Sequence, residues 1–334
     1  MNITLFLGAG FSAPFGHPVM NNFLDNATAG HRIEDQEKQF LDRLILEARR
    51  ANGFLENSTV NLEHILSFAV MGDRLGLYRE TGEPKAVTLK KILQRIYTSY
   101  RETQKYWSQF SILSNFLGFD LGENRHKLSF ITTNYDINIE SALNWLRVYC
   151  NPGFDLKHAQ RKGSGLYSKN GIMTFKLHGS VNWFEKNDGH LIIDEQDVTV
   201  WPDPNKVETY KIPAVCANDY AFPGNPLIVP PSFLKPDLSG VLEGIWSGAA
   251  KTLKETDRVV FIGYSFPESD KEMMYFLATS FADNPRLRKI QVIDPIATQI
   301  VTRLRRPEGN VGYHFKELLE PINIEWENYQ LNVG

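Results

Sequence analysis

The sequence predicts an α/β fold: a Rossmann-like, doubly wound parallel sheet that carries a helical insertion and no zinc ribbon. Short apolar runs, rich in β-branched and aromatic residues and bounded by Gly, Pro, Asn or Asp, are typical of strands buried on both faces. Stretches with helical spacing separate several of these runs, and a glycine-rich turn follows the first of them. The predicted strands are residues 3–7, 128–132, 174–177, 227–229, 259–263 and 289–293.

The first two predicted strands are far apart in the chain, since one ends at residue 7 and the other begins at residue 128. Residues 31–125 show helical spacing with almost no strand pattern, so we predict a helical insertion subdomain there. Residues 1–30 and 126–334 would then form one discontinuous Rossmann-like domain, interrupted at 180–225 by short β ribbons and loops. The predicted helices of that domain are residues 136–148, 239–255, 269–281 and 296–305.

The composition does not indicate a nucleic-acid-binding protein, a membrane protein or a zinc protein. The 334 residues are 42% hydrophobic and 22% charged with a formal net charge of −3, a balance that does not indicate binding to nucleic acid. No apolar run approaches the roughly 20 residues that cross a bilayer, and no basic leader precedes the first strand, so we expect a soluble, cytoplasmic protein without membrane contact. The two cysteines, Cys150 and Cys216, cannot form a four-thiolate zinc site, and no metal is expected.

The glycine-rich turn is Gly8-Ala9-Gly10-Phe11-Ser12-Ala13, directly after the first strand. Its backbone N–H groups can face a pyrophosphate without obstruction by Cβ atoms. A tight strand-to-helix turn without any ligand explains the same glycines. A dehydrogenase would need a second strand ending in an acidic residue about 20 positions later, whereas residues 21–42 are polar and helical. The turn therefore predicts a nucleotide site of another kind.

Polar residues follow the second and third strands. The string Thr133-Asn134-Tyr135-Asp136 follows the predicted strand 128–132, and His178 follows the predicted strand 174–177. Ligands bind at the carboxyl ends of parallel strands, and an imidazole there can accept a proton near neutral pH. Helix capping explains Asn134 and Asp136 equally well, and a lone histidine is more often structural or solvated. Their convergence with Gly10 on one sheet edge favours a functional site.

Small and acidic residues follow the last two predicted strands. Gly263 and Ser265 would let a ribose or phosphate approach the backbone, and Asp294 would accept hydrogen bonds from ribose hydroxyls. Ordinary strand-to-helix turns explain all three, and for Asp294 a helix cap is slightly preferred. We predict the adenosine side of a dinucleotide here.

Four strings of the chain, in the same order, resemble the Sir2 (sirtuin) superfamily. The chain lacks the four-cysteine zinc module of the protein deacylases and their Asp-Phe-Arg segment after the glycine turn. It is more similar to the bacterial Sir2-like proteins of anti-phage defence, which have a helical insertion, often an Asn-x-Glu element like Asn61-Leu62-Glu63, and hydrolyse NAD. The four strings are Gly8-Ala9-Gly10-Phe11-Ser12, Thr133-Asn134-Tyr135-Asp136, Leu177-His178-Gly179 and Gly263-Tyr264-Ser265.

The resemblance implies NAD as substrate, no metal, and a role for each matched residue. Asn134 would orient water or ribose hydroxyls, His178 would take a proton, and Asp136 would lie near the departing nicotinamide. The glycine turn would hold the pyrophosphate, with Phe11 near the nicotinamide end. The implied NAD-binding residues are Gly8, Ala9, Gly10, Phe11, Ser12, Thr133, Gly263, Ser265 and Asp294.

The activity that the resemblance implies is an NAD glycohydrolase producing ADP-ribose and nicotinamide, a regulated NAD-depleting effector of anti-phage defence. Control would come from homo-oligomer assembly or from a partner such as a co-encoded ATPase. Two alternatives remain: an NAD-dependent protein deacylase and a non-catalytic sensor of NAD or ADP-ribose. Among these, only the hydrolase would consume NAD in the absence of an acylated substrate.

Overall fold

The computed structural model describes residues 1–17, 33–52, 62–77, 84–99, 128–163, 165–200, 210–213, 221–229, 240–267, 270–282, 284–305 and 313–329. The strands in these ranges are β1 (Ile3–Leu7), β2 (Leu128–Thr132), β3 (Cys150–Asn151), β4 (Ala159–Lys162), β5 (Ile172–Lys176), β6 (Gly179–Glu185), β7 (Leu191–Asp194), β8 (Asp197–Val200), β9 (Tyr210–Pro213), β10 (Asn225–Ile228), β11 (Arg258–Ile262), β12 (Lys289–Ile293) and β13 (Leu319–Ile322). The helices are α1 (Ala9–Ser12), α2 (Asp35–Asn52), α3 (Leu62–Arg74), α4 (Lys85–Ser99), α5 (Asn138–Trp145), α6 (Val241–Lys254), α7 (Lys271–Ala282) and α8 (Ala297–Arg305).

Seven strands form a parallel sheet in the order β13-β12-β11-β1-β2-β5-β3. Every residue of β1 and β2 is buried, as expected for central strands of a parallel sheet. Leu7 pairs with both Thr132 and Ile262. Thr132 pairs in turn with Lys176, and Ile262 with Ile293. Because these strands end in register, the residues that follow them lie along one edge of the sheet.

The predicted Rossmann-like parallel sheet is confirmed, and three strands have the predicted bounds: β1, β2 and β12. The prediction that residues 227–229 form a buried parallel strand is wrong. The strand there, β10, pairs antiparallel with β6. A short apolar run identifies a strand but carries no information on its direction, which depends on the connection to its neighbour.

A second sheet has the order β10-β6-β7-β4, and β8 pairs with β9 as a separate antiparallel ladder. In this sheet β6 pairs antiparallel with both β10 and β7, whereas β4 and β7 are parallel. Most of these strands lie within residues 180–225, where short β ribbons are predicted. Strand β6 of this sheet follows β5 after only two residues, 177 and 178, so the sheet is attached directly to the edge that carries the site.

Helices occupy the described part of the predicted insertion. Charge at the ends of α2 matches the helix dipole, with Asp35 and Glu37 in the first turn and Arg49 and Arg50 in the last. Helix α4 packs against β6 and β10. The Gln94 side chain of α4 is fully buried and donates a hydrogen bond to the backbone oxygen of Val181 on β6. Helix α4 of the insertion therefore contacts the second sheet, while the division of the chain into two domains stays a prediction.

Within the described ranges, no helix has the combination of length and apolarity that spanning a membrane requires.

Candidate active site

The glycine turn packs backbone to backbone against the loop after β11. Gly8 N donates to Ile262 O at 3.0 Å, and Gly10 N donates to Gly263 O at 2.9 Å. A Cβ on Gly8 would lie 2.5 Å from Gly263 O, and a Cβ on Gly263 would lie 2.2 Å from Phe11 N. The contact between the two loops therefore requires glycine at both positions. It also uses two of the amides predicted to face a pyrophosphate, whereas Ala9, at the start of α1, is exposed.

Gly263→Ala is expected to lower the free energy of unfolding by about 2–4 kcal/mol, because Gly263 has φ +62° and no room for a Cβ. The matched control is Gly244→Ala on α6, where a Cβ meets nothing within 4 Å. That variant is expected to gain up to about 1 kcal/mol, since alanine favours helix. Urea denaturation of both variants measures the difference, and equal stabilities would contradict the close-contact argument.

A chain of hydrogen bonds joins the glycine turn to the loop after β2. Asn134 Nδ2 donates to Gly8 O at 2.8 Å and to Ser12 Oγ at 2.9 Å. Ser12 Oγ donates in turn to Asp136 Oδ2 at 2.6 Å. Both amide hydrogens of Asn134 are thereby directed to the glycine turn, so its Oδ1 points away from that turn. This oxygen is the acceptor that Asn134 can offer to a hydroxyl group.

Asp136 is buried and ionised. Burial acts to raise the pKa of its carboxyl group, but the positive charges of His17 and Lys176 act against burial. Hydrogen bonds from Ser12 and from the backbone N–H of Asn138 add to their effect, and the pKa lies below its ordinary value. The bond from Asn138, at 3.0 Å, is the helix-start contact that capping predicts for this residue. The bond to Ser12 has no part in capping, and it ties the carboxylate to the glycine turn.

His178 lies two residues after β5, at the level where Asn134 follows β2. Its ring is buried between two aromatic side chains, with centroids 6.4 Å from Tyr135 and 6.5 Å from Trp246. Tyr135 OH donates to Val229 O at 2.7 Å, and Trp246 Nε1 donates to Leu177 O at 2.8 Å. Since Tyr135 is the chain neighbour of Asn134, this stack brings the imidazole to the same part of the edge as the amide.

A buried ion pair lies below these residues. Lys176 Nζ is 3.1 Å from Glu140 Oε1, and each side chain is only 1% exposed. Lys176 also donates to the backbone oxygen of Asp136, and Tyr167 OH donates to Glu140 Oε1 at 3.1 Å. The lysine thus fixes the peptide of a candidate site residue from inside the protein.

The predicted adenosine side has contacts that fit helix and loop stabilisation. Asp294 Oδ1 accepts from Ile296 N at 3.0 Å, as a cap at the start of α8 does. Ser265 is exposed, and its backbone oxygen accepts from the Arg303 guanidinium. The loop that contains Ser265 lies beside the glycine turn, at the same edge of the sheet as the candidate site. Ribose contacts by Ser265 and Asp294 stay predictions.

The remaining predicted residues lie at the same edge or just behind it. Thr133 is half-buried, and its N–H donates to Leu7 O at 3.3 Å. Phe11 is buried, with its ring centroid 4.7 Å from that of Trp326 and 6.2 Å from that of Phe15. A role for Phe11 near nicotinamide stays a prediction.

No group of three or more His, Cys, Asp or Glu residues suited to a metal ion occurs in the part of the chain that the structure describes. Burial, and then the charge of Glu140, raises the pKa of the Cys150 thiol well above its ordinary value, so it stays protonated at neutral pH. Cys216, Asn61 and the side chain of Glu63 lie outside the described residues.

Several residues at the site have no signal in the sequence pattern. Lys176 lies within the predicted strand 174–177 and ends β5, where a buried charged residue is unexpected. His17 comes from the segment after the glycine turn and Tyr97 from α4, and each lies in a chain of ring contacts that reaches His178. His17 follows the glycine turn in the sequence, but only the fold shows that its ring stacks on that of Tyr97.

Comparison with solved structures finds chains of low sequence identity. Sir2Tm bound to a propionylated peptide is 12% identical, with 98% of this chain and 89% of that chain covered and a TM-score of 0.35. A serine-to-alanine variant of a Sir2 homologue in complex with ADP-ribose is 14% identical, with 88% and 80% covered and a TM-score of 0.36. Sir2 bound to an acetylated peptide is 11% identical, with 98% and 89% covered and a TM-score of 0.36.

No curated protein matches the chain. A family model does match: the SIR2-like domain, over residues 128–325, which is more than half of the 334 residues. This segment contains Asn134, Asp136 and His178, while the glycine turn precedes it. The chain therefore belongs to the SIR2-like domain family and is a member of the Sir2 superfamily.

Proposed function

We propose that this protein is an NAD glycohydrolase, which cleaves NAD into ADP-ribose and nicotinamide without a metal ion. The observation that carries the proposal is the fixed orientation of Asn134. Its amide hydrogens are held by Gly8 O and Ser12 Oγ, so its Oδ1 faces away from the glycine turn. An acceptor fixed before substrate binds needs no reorganisation during the reaction.

The reaction breaks the bond between the ribose C1′ and the pyridinium nitrogen of NAD. The electron pair of that bond stays with nicotinamide, which leaves as a neutral molecule, and C1′ gains oxocarbenium character. Water forms the new C1′–O bond and gives up one proton. In this proposal Asn134 Oδ1 orients the water or a neighbouring ribose hydroxyl, and His178 accepts the proton.

Asp136 is proposed to act at the nicotinamide end of the site. Its carboxylate is ionised at neutral pH, because nearby charges and hydrogen bonds outweigh its burial. A fixed negative charge favours binding of the positively charged pyridinium ring of NAD. The exposed Ala9 and the loop of Gly263 and Ser265 would bind the pyrophosphate and the adenosine ribose.

Incubation of the purified protein with NAD alone, followed by chromatography of the products, tests the proposal. Equal amounts of nicotinamide and ADP-ribose are expected. Cleavage that starts only after an acylated peptide is added would indicate a deacylase instead. NAD that stays bound and intact at high protein concentration, and after a candidate partner is added, would indicate a sensor. Either of these two results would refute the hydrolase.

We further propose that the activity is regulated and serves anti-phage defence, through assembly into a homo-oligomer or through a partner such as a co-encoded ATPase. The contact of α4 with β6, the strand that directly follows His178, supports the insertion as the regulatory element. Specific activity is then expected to rise with protein concentration or on addition of the partner. A monomer that is fully active at nanomolar concentration would contradict this part of the proposal.

A further inference from the structure

We propose that a cavity beside strand β3 is a second binding site, for a small molecule that carries both a phosphate group and an aromatic ring, as a nucleotide does. The cavity has a volume of about 660 Å³. Small-molecule sites in proteins have volumes of about 300–1,000 Å³. None of the residues predicted to bind NAD lines this cavity. Binding there does not depend on NAD cleavage.

Two loops at the β3 edge of the parallel sheet form the wall of the cavity. One comprises residues 153–157, after β3, and the other comprises residues 167–169, before β5. The side chain of Asn151, the last residue of β3, fixes both loops. Its Oδ1 accepts from Gly153 N at 3.0 Å, and its Nδ2 donates to Lys169 O at 2.9 Å. The shape of the cavity is therefore set before a ligand binds, which lowers the entropic cost of binding.

A buried carboxylate behind the cavity holds the second loop from inside. Glu195 Oε2 accepts from the backbone N–H groups of Gly165, Leu166 and Tyr167 at 3.0–3.2 Å. Its Oε1 accepts from Nε of Arg161, which lines the cavity and also donates to Tyr167 O at 3.0 Å. Because the Glu195 side chain is fully buried and ionically paired with Arg161, the positive charge of this arginine is already compensated.

Two other residues give the cavity its positive charge. Lys157 and Lys169 line it and are exposed. Within the described ranges, neither ammonium group has an ion pair or a hydrogen-bond partner. Asp155 also lines the cavity, but its carboxylate accepts from the backbone N–H of Lys157 at 3.0 Å and lies 4.0 Å from His158 Nε2. Two ammonium groups without partners at one cavity favour a ligand with a doubly charged anion, such as phosphate.

Phe154 gives the cavity an aromatic wall. Its side chain is half-buried, and its ring meets that of Trp183 edge to face, with the centroids 5.2 Å apart. Trp183 is fully buried, so this contact fixes the phenyl ring in place. Nucleic-acid bases stack on such rings, whichever base they are. A phosphate group for the two lysines and a planar ring for Phe154 together describe a nucleotide.

Calorimetric titration of the full chain with AMP tests the proposal, because AMP carries both groups. The double variant Lys157→Ala with Lys169→Ala should bind AMP at least about tenfold more weakly than the wild type, since it loses two charge-assisted contacts. Phe154→Leu keeps an apolar side chain against Trp183 and should weaken AMP about fivefold or more, through the loss of stacking. Inorganic phosphate should bind more weakly than AMP. The urea midpoint of each variant shows whether it is folded.

The matched control is the double variant Lys38→Ala with Lys251→Ala. It removes the same charge from two exposed lysines, on α2 and α6, that do not line the cavity. Its affinity for AMP should stay within about twofold of the wild type, because salt screens distant surface charges. No binding of AMP to the wild type, or equal affinities in the wild type and both double lysine variants, would overturn the proposal. Inorganic phosphate that binds as tightly as AMP would refute the aromatic part of the ligand.

A second measurement uses the wild type alone, so it does not depend on the folding of a variant. Acetylation of lysines by an N-hydroxysuccinimide ester, followed by mass spectrometry, measures the accessibility of each ammonium group. A large excess of AMP should slow the acetylation of Lys157 and Lys169 several-fold and leave Lys38 and Lys251 unchanged. Equal acetylation of Lys157 and Lys169 with and without AMP would refute the site. Both experiments omit NAD, so this proposal and the proposed NAD cleavage can fail separately.

Discussion

His178→Ala is expected to lower the rate of NAD cleavage by about 10²- to 10⁴-fold, the usual cost of losing a general base. The reason is that, in the proposed mechanism, the imidazole accepts the proton that the attacking water gives up. The rate of nicotinamide release at saturating NAD measures the effect. Asn134→Ala should have an effect of the same direction, because it removes the fixed acceptor for the attacking hydroxyl.

Two variants on the surface control for the loss of a histidine or an asparagine. His158 is 84% exposed in its side chain, and Asn170 is also exposed, so His158→Ala and Asn170→Ala should keep the rate of the wild type within about twofold. Circular dichroism and the urea midpoint show whether each variant is folded. A folded His178→Ala protein with full turnover would remove His178 from the mechanism.

Lys176→Met is expected to lower the free energy of unfolding by about 3–5 kcal/mol, because it leaves the Glu140 carboxylate buried without its partner. Lys176 and Glu140 are each 1% exposed, so water cannot replace the lost charge. The change also removes the hydrogen bond to the backbone oxygen of Asp136. Urea denaturation at neutral pH measures the loss.

An ion pair on the surface, with a similar distance between its charged atoms, is the control for the effect of burial. Lys289 Nζ is 2.7 Å from Glu320 Oε2, but both side chains are 46% exposed, and Lys289→Met should cost no more than about 1 kcal/mol. The double variant Lys176→Met with Glu140→Gln should recover part of the loss, because no buried charge is left unpaired. Equal costs for Lys176→Met and Lys289→Met would refute the importance of burial.

The parallel sheet was predictable because its central strands have a simple pattern. Residues 3–7, 128–132 and 289–293 are apolar runs between turn residues, and the structure has strands at these bounds. Two strands of the sheet lack that pattern. β3 has only two residues, and β13 contains Pro321, which is tolerated because β13 lies at the sheet edge.

The site was predictable only in part. Register places Asn134 and His178 on one edge, and strand ends alone indicate this. The bond from Ser12 to Asp136 joins residues 124 positions apart, and no local pattern encodes such a contact. The same holds for the approach of His17 to Tyr97, since it depends on how α4 packs. Packing between distant segments is the information that a single sequence does not display.

The position of β1 has a consequence for biosynthesis. This strand is early in the chain, yet both of its neighbours come much later, since β2 begins at residue 128 and β11 at residue 258. At about 5–20 residues per second, a ribosome needs on the order of 10–50 s to produce the second neighbour. During that time β1, an uncharged apolar strand, lacks at least one of the two strands that flank it in the sheet. An unpaired strand of this kind favours aggregation and binds chaperones. Fragments that stop before residue 258 should therefore precipitate when they are expressed alone.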